Sequence, residues 1–403
     1  MNGRKLLIAL SAGVLVMFYT AALLFGENAV WQALNIPTHH PSFIDLRGLL
    51  SGFDAARLGF DPLYENPRDP YHRPVVYPRL WLALGWFGLS ETHTEIAAYL
   101  LIGSFGISVL SIKGYDKTTA LLLSLVLFSP AALMCYKFAN VEMVIFILLA
   151  AALALEPRSF WGALTLIELA AFLKIFPILA LGYLLKYERK EFLRKLALGT
   201  GIFLLYIVLT WQDTLWILGH APKGALESYG AGVIAFRVYE LTNSRDWTAV
   251  TNLPLYLLLY GLMIAALFLS SRHANRLPET TSRFLDAFRI GSLIYIGSFI
   301  QGNSFNYRLI FLLCVIPQLV DWAKTQPSLR SAARWTLGLL LASCWGMVLV
   351  PILPVHLAFG LDELANWLLF AALLYLLFVS SPDWIRDEID AAVRRYRNTR
   401  YKI

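Results

Sequence analysis

Long apolar runs separated by short loops dominate this sequence and limit it to one kind of fold. Hydrophobic residues make up 58% of the chain and charged residues 15%, with a mean hydropathy of +0.59. Soluble domains carry roughly 45–50% apolar and about 25% charged residues. A bilayer crossing needs about 20 mostly apolar residues. A backbone in lipid must also satisfy its own hydrogen bonds, so each run reads as a helix. The runs predict spans near 5–25, 95–112, 117–134, 141–155, 193–212, 251–270, 286–302, 308–323, 334–353 and 363–381. The expected fold is an all-α polytopic integral membrane protein with about 10–13 transmembrane or half-membrane helices. The first run, Leu6–Phe25, is long for a signal peptide and has no small-x-small cleavage site behind it, so it reads as a retained span.

Two stretches break the pattern. Residues 77–89 are apolar but too short to cross untilted, which suggests a half-helix or an interfacial helix. The run 159–186 is long enough for one crossing. Its flanks, Arg158 on one side and Lys186, Arg189, Lys190, Arg194 and Lys195 on the other, are both basic. Positive charge favours the cytoplasmic side, so this run is expected to enter and return as two half-helices turning near Lys174-Ile-Phe-Pro177. Irregular backbone at membrane depth is tolerated where it is buried or lines a cavity. With that hairpin the N-terminus, 113–117, 156–158, 186–195, 271–285, 324–334 and the tail fall inside, while 26–94, 135–140, 213–250, 303–307 and 354–362 fall outside.

Most of the 34 Lys and Arg then lie inside, which accounts for the net charge of +7 without nucleic acid as a partner. The expected organisation is one transmembrane domain in the inner (plasma) membrane, with both termini cytoplasmic. Its parts are a first outer loop at 26–94, the hairpin at 159–186, a second outer loop at 213–250 and a basic tail at 382–403 suited to anionic lipid. Cys135, Cys314 and Cys344 lie in or beside apolar runs with no ligand spacing, as packing residues do.

Polar chemistry concentrates behind the first span. Residues 41–81 hold Asp45, Asp54, Asp61 and Asp69 together with Arg47, Arg57, Arg68, Arg73 and Arg79. If 43–52 is a short interfacial helix, Asp45 lies in its first turn. There a carboxylate either serves the helix dipole or acts as a general base whose pKa is raised by partial burial. Asp61-Pro62 after Gly59 has the composition of a turn, and Asp54 can pair with Arg57. The three aspartates stay open as candidate bases on these grounds. Tyr77-Pro78-Arg79 opens the short helix, and Arg79 there can grip a phosphate or snorkel to headgroups.

Lys174 is a basic residue deep in an apolar segment, a functional hypothesis by default; its bland alternative is an ion pair with Glu168. Asn140 and Glu142 mark the outer end of a span, and Glu142 is either a second acid in the same cavity or a solvated helix end. Asn303, Asn306, Tyr307 and Arg308 form another outer cluster, and His220, Tyr229, Arg237 and Arg245 lie in the second outer loop. Phosphate-binding loops, serine-nucleophile elbows and zinc-protease motifs are absent from the sequence. His39-His40 lacks the rest of a metal site, and neither cofactor nor metal is expected.

These residues resemble a family. Asp45 shortly after the first span, then Gly59-Phe-Asp61-Pro62-Leu-Tyr64, then Tyr77-Pro78, is similar to the pattern of the GT-C membrane glycosyltransferases. The likeness is nearest to the family 87 mannosyltransferases that use polyprenyl-phosphate-mannose. Ala139-Asn140 and Lys174-Ile-Phe-Pro177 match later motifs of that family, with Ala139 in place of its Gly and Arg79 in place of a second Pro. The motifs cover roughly residues 1–200.

The resemblance implies a polyprenyl-phosphate sugar donor, mannose foremost, a lipid or glycan acceptor, and inversion at the outer face. It implies Asp45 as the base and a lipid phosphate held by Lys174 and Arg79. Tyr77, Asn140, Glu142, Asp61, Tyr64 and Arg308 would line the substrate site. Two other classes fit the same features: a transporter or flippase of lipid-linked saccharides, since broken helices also build transport sites, and a polymerase or ligase of surface polysaccharide using a diphosphate-linked donor.

Overall fold

The computed structural model describes residues 2–112, 116–271 and 284–400, with side chains omitted for 392–400. The basic run Arg394–Lys402, read as a lipid-binding tail, lies outside the residues whose side chains are described. Among the described residues six helices are long and apolar enough to cross a membrane: Gly3–Phe25, Glu91–Leu110, Arg189–Leu209, Arg245–Ser271, Arg330–Leu349 and Val355–Val379. Each coincides with a span read from hydropathy, and the chain is an all-α polytopic membrane protein.

Of the remaining apolar runs, 141–155 and 286–302 are single short helices, Glu142–Leu155 and Leu285–Ile300, and the others are interrupted, each for a local reason. The stretch 117–134 is two helices, Lys117–Leu127 and Pro130–Phe138, bent by 54°. Pro130 lacks an N–H and drives the residue before it out of the helical region. Ser129 is accordingly extended, and its Oγ caps the second helix by accepting from the Ala132 N–H at 3.3 Å. The next two helices, Glu142–Leu155 and Phe160–Leu173, have 14 residues each. At 1.5 Å per residue that is about 21 Å, short of the roughly 30 Å hydrocarbon layer. The stretch 308–323, read as one span, is instead a 3₁₀ segment Asn306–Cys314 followed by a helix Ile316–Thr325 opened by Pro317.

Two compact units emerge. One comprises residues 1–181, 197–222 and 306–310, the other 182–196, 223–305 and 311–403. In the first, the 26–94 stretch folds into short helices, among them Glu27–Ala33, Ile44–Arg57 and a 3₁₀ segment Arg79–Phe87. Leu49, Leu50 and Phe53 bury one face of the Ile44–Arg57 helix. Arg57 pairs with Asp54 as its spacing predicts, at 2.8 Å, and also donates to the carbonyls of Gly85 and Leu89. Trp86 and Phe87 project almost fully exposed from the end of the 3₁₀ segment.

In the second unit, the 223–250 part of the 213–250 stretch proves to hold a helix, Val233–Thr242, beside a two-residue strand. That strand, Ser228–Tyr229, pairs antiparallel with Ser304–Phe305, so two segments read as lying on one side of the membrane are hydrogen-bonded to each other. Tyr229 stacks on Tyr295 at 5.1 Å, and the Tyr295 hydroxyl donates to the Asn366 carbonyl at 2.9 Å.

Gly230, with φ of 137°, lets this corner close: a Cβ there would lie 2.6 Å from the Gly302 carbonyl oxygen. The atom it would meet belongs to backbone, which cannot swing aside. Gly230→Ala should therefore destabilise the second unit by about 1–3 kcal/mol, the range for overpacking, read as a lower thermal midpoint in detergent.

Candidate active site

The first unit gathers most of the sequence candidates around one tight link. The helix Pro130–Phe138 ends on Ala139, which is left-handed with φ of 48°. Asn140 follows, and its Oδ1 accepts from the Glu142 N–H at 3.0 Å, starting the next helix. Asn140 and Glu142 have no solvent exposure at all. Each holds one half of a site.

Asn140 Nδ2 donates to Asp45 Oδ2 at 2.6 Å. Asp45 sits in the first turn of the Ile44–Arg57 helix, as expected, but its carboxylate is turned to Asn140. The N-cap is Phe43, left-handed and without a side-chain cap. Burial pushes the Asp45 carboxyl above its ordinary range; the Asn140 hydrogen bond and the charges of Arg73, Lys174 and His39 act against that rise. Asp45 as a residue is half-buried.

Glu142 Oε1 accepts from Lys174 Nζ at 2.9 Å and from Arg308 Nε at 3.0 Å. The two cations keep 16% and 12% of their side-chain surface against none for Glu142, so the carboxylate lies behind them. The partner of Lys174 is thus Glu142 and not Glu168, whose buried carboxylate oxygens have no hydrogen-bond partner among the described residues. Nor is Glu142 a solvated helix end. Lys174 Nζ lies 5.4 Å from the Tyr77 ring centre and 5.9 Å from that of Tyr307, and the Arg308 guanidinium lies 4.3 Å over Phe176. These are cation–π distances. Burial and the Asp45 charge hold the Tyr77 phenol well above its usual range, so it stays a neutral donor.

The chain presents Lys174 by breaking a helix. Pro177 keeps Phe176 from continuing the Phe160–Leu173 helix, and Lys174 leaves it extended at φ −161° and ψ 125°. The Leu173 carbonyl, orphaned by that ending, accepts from Trp81 Nε1 at 2.9 Å.

Arg79, Asp61 and Tyr64 form a second cluster. Arg79 gives Nη1 and Nη2 to Asp61 at 2.9 and 2.8 Å and Nε to Asp213 at 2.7 Å. The Arg79 hydrogen bonds hold Asp61 below the usual carboxylate range. Two carboxylates around one guanidinium leave a net negative charge, so a phosphate reaching Arg79 would first have to displace one of them. Tyr64 packs edge-on against Trp216 at 5.3 Å.

Asp213, Trp81 and the pair Asp69–Arg73 were not among the sequence candidates. The i,i+4 spacing of Asp69 and Arg73 was the signal available for the last. Among the described residues no group of three or more His, Cys, Asp or Glu could hold a metal ion.

No protein-family model matches the chain, and no curated protein matches it. Among solved structures, the crystal structure of ArnT from Cupriavidus metallidurans in the apo state is similar at 16% identity, covering 92% of this chain and 78% of that one, with a TM-score of 0.32. Likeness at that level carries no functional argument.

Proposed function

We propose that this chain is an inverting glycosyltransferase of the GT-C type. It moves a sugar, mannose foremost, from a polyprenyl-phosphate donor to a lipid or glycan acceptor at the extracytoplasmic face of the inner membrane. One observation carries the reading. Asn140 and Glu142, two residues apart and wholly buried, hold a carboxylate on one side and two cations on the other. Asp45 is half-buried as a residue, and both cations keep some side-chain surface.

In such a site an acceptor hydroxyl attacks the anomeric carbon while Asp45 takes its proton. The bond from that carbon to the phosphate oxygen breaks, and the electron pair leaves on the lipid phosphate. Lys174 and Arg308, with Glu142 between them, carry one net positive charge, which balances the charge gathering on a phosphate monoester leaving group. Stabilising charge where it develops is the larger share of such catalysis. A single displacement inverts the anomeric centre. Tyr77, as a neutral phenol, can donate to the same phosphate or to the sugar.

The test is transfer of labelled mannose from polyprenyl-phosphate-mannose by the purified chain in liposomes of cell-envelope lipid. The expected product has the opposite anomeric configuration to the donor. The interrupted helix at Lys174 also suits a carrier. Movement of the intact lipid-linked sugar across the bilayer without transfer would overturn the enzyme reading in favour of that one. Transfer from a diphosphate-linked donor alone would point to the polymerase or ligase class.

A further inference from the structure

The helix that starts at Arg330 begins against local preference. A tight turn leads into it, with the Leu329 N–H donating to the Gln326 carbonyl at 3.1 Å. Leu329, Ala333, Thr336 and Leu340 are fully buried, so one stripe of the helix faces the protein. Arg330 and Arg334 stand off that stripe, one turn apart and exposed. Neither has a hydrogen-bond or carboxylate partner among the described residues.

Such a start is uncompensated in three ways. Like charges at i,i+4 repel. A cation in the first turn opposes the helix dipole, and no acid stands there to offset it. The N-cap is Leu329, which has no side-chain oxygen to offer the first N–H groups. Arg330 and Arg334, with Pro327, Ser331 and Trp335, line one cavity of about 360 Å³. Trp335 is 72% exposed. The helix is long and apolar enough to cross a bilayer, so its first turns lie near a membrane surface, where tryptophan collects at headgroup level. Two guanidiniums and a hydroxyl there suit a phosphate, and the indole suits the glycerol and upper chains beside it.

We propose that this cavity binds an anionic phospholipid, with Arg330 and Arg334 on the phosphate diester and Trp335 against the glycerol. In the topology expected from the sequence, the site opens to the cytoplasmic leaflet. It is independent of the sugar-transfer reading and needs only that the chain span a membrane. The bound phosphate neutralises the start of the helix and holds it at the headgroup level. Diffuse attraction of anionic lipid to basic loops has no reason to favour arginine over lysine; a built site does.

The experiment reads one tryptophan. The purified chain is placed in nanodiscs of phosphatidylcholine containing a small share of brominated lipid, either phosphatidylglycerol or phosphatidylcholine, with the bromines near the glycerol. The quenching that disappears in Trp335→Phe is the share due to Trp335. Half of that share should be reached with about tenfold to thirtyfold less brominated phosphatidylglycerol than brominated phosphatidylcholine, the size expected for two arginines at a membrane surface. In Arg330→Gln/Arg334→Gln the ratio should fall below about twofold. Equal quenching of wild type by the two lipids, or a ratio that survives the double change, overturns the proposal.

Arg330→Lys/Arg334→Lys keeps both charges and loses both planar forks, so the ratio should drop by about threefold or more. An unchanged ratio would mean diffuse attraction and no site. Millimolar glycerol phosphate should leave the Trp335 quenching by phosphatidylglycerol as it is; relief of that quenching would make this a site for a soluble phosphate and overturn the lipid assignment. In neutral detergent the glutamine pair should melt no lower than wild type, and phosphatidylglycerol should raise the thermal midpoint of wild type more than that of the pair. A clear loss of stability in neutral detergent would show that the arginines serve the fold and overturn the proposal.

Discussion

Asp45→Asn will leave the protein folded and remove sugar transfer, lowering the single-turnover rate by about 10²–10⁴, the usual share of a general base. Asparagine keeps the shape and can still accept from Asn140 Nδ2 through its own oxygen, so the link at Ala139-Asn140 has no reason to shift. What is lost is the lone pair that takes the acceptor proton.

The pH dependence follows from the same burial. The Asp45 carboxyl is raised, so the acid limb of the rate profile should lie above that of an ordinary aspartate at about 3.9. Transfer should rise with pH as Asp45 ionises. The stability consequence has the opposite sense. A carboxyl raised in the folded state contributes stability that is present below its unfolded pKa and lost as pH rises through its folded one. Above that raised pKa the wild type therefore carries a charge in a desolvated place that the variant does not. Asp45→Asn should melt at or above the wild-type midpoint there, and the difference should close as pH falls through the raised Asp45 pKa. Full transfer by the variant would remove Asp45 from the role of base and return Asp54 and Asp61 as candidates.

The sequence made the membrane architecture legible because hydropathy is a local, additive signal. The six long helices fall where their apolar runs do. Hydropathy could not tell a straight span from a broken one of equal oiliness, which is why 117–134 and 308–323 read as single helices. The deciding residues, Pro130 and Pro317, were in view but act through backbone geometry.

The site was half legible for a similar reason. Asp45, Lys174, Asn140, Glu142 and Arg308 stood out singly, as charges or amides next to lipid. Their pairing did not: Glu142 is 32 residues from Lys174 and 166 from Arg308, and no sequence spacing joins them. Glu168, six residues before Lys174, was the nearer partner in sequence, yet it lies on the helix that ends before Lys174 turns away. Arg73 and Asp69 were hidden among the many charges of one loop, distinguished by the burial of Asp69.

Glu142 should prove the costliest single position in the site. Glu142→Gln leaves Lys174 and Arg308 facing each other around an uncharged amide, both largely screened from water. Removing one partner of a buried ionic cluster costs about 3–5 kcal/mol, because the charge left behind stays desolvated. The fall in thermal midpoint should be the largest of any conservative change in the first unit.

Lys174→Met is the instructive contrast. It leaves Glu142 still bound to Arg308 Nε at 3.0 Å, so the loss of stability should be smaller, while transfer falls by about 10²–10³, as for loss of one charge-stabilising donor. Combining the two changes removes one anion and one cation together. The double variant should therefore recover part of the stability lost by Glu142→Gln, yet recover none of the activity. A double variant no more stable than Glu142→Gln alone would mean that Glu142 serves packing and not charge. A Lys174→Met protein with full transfer would mean that Arg308 by itself stabilises the leaving phosphate.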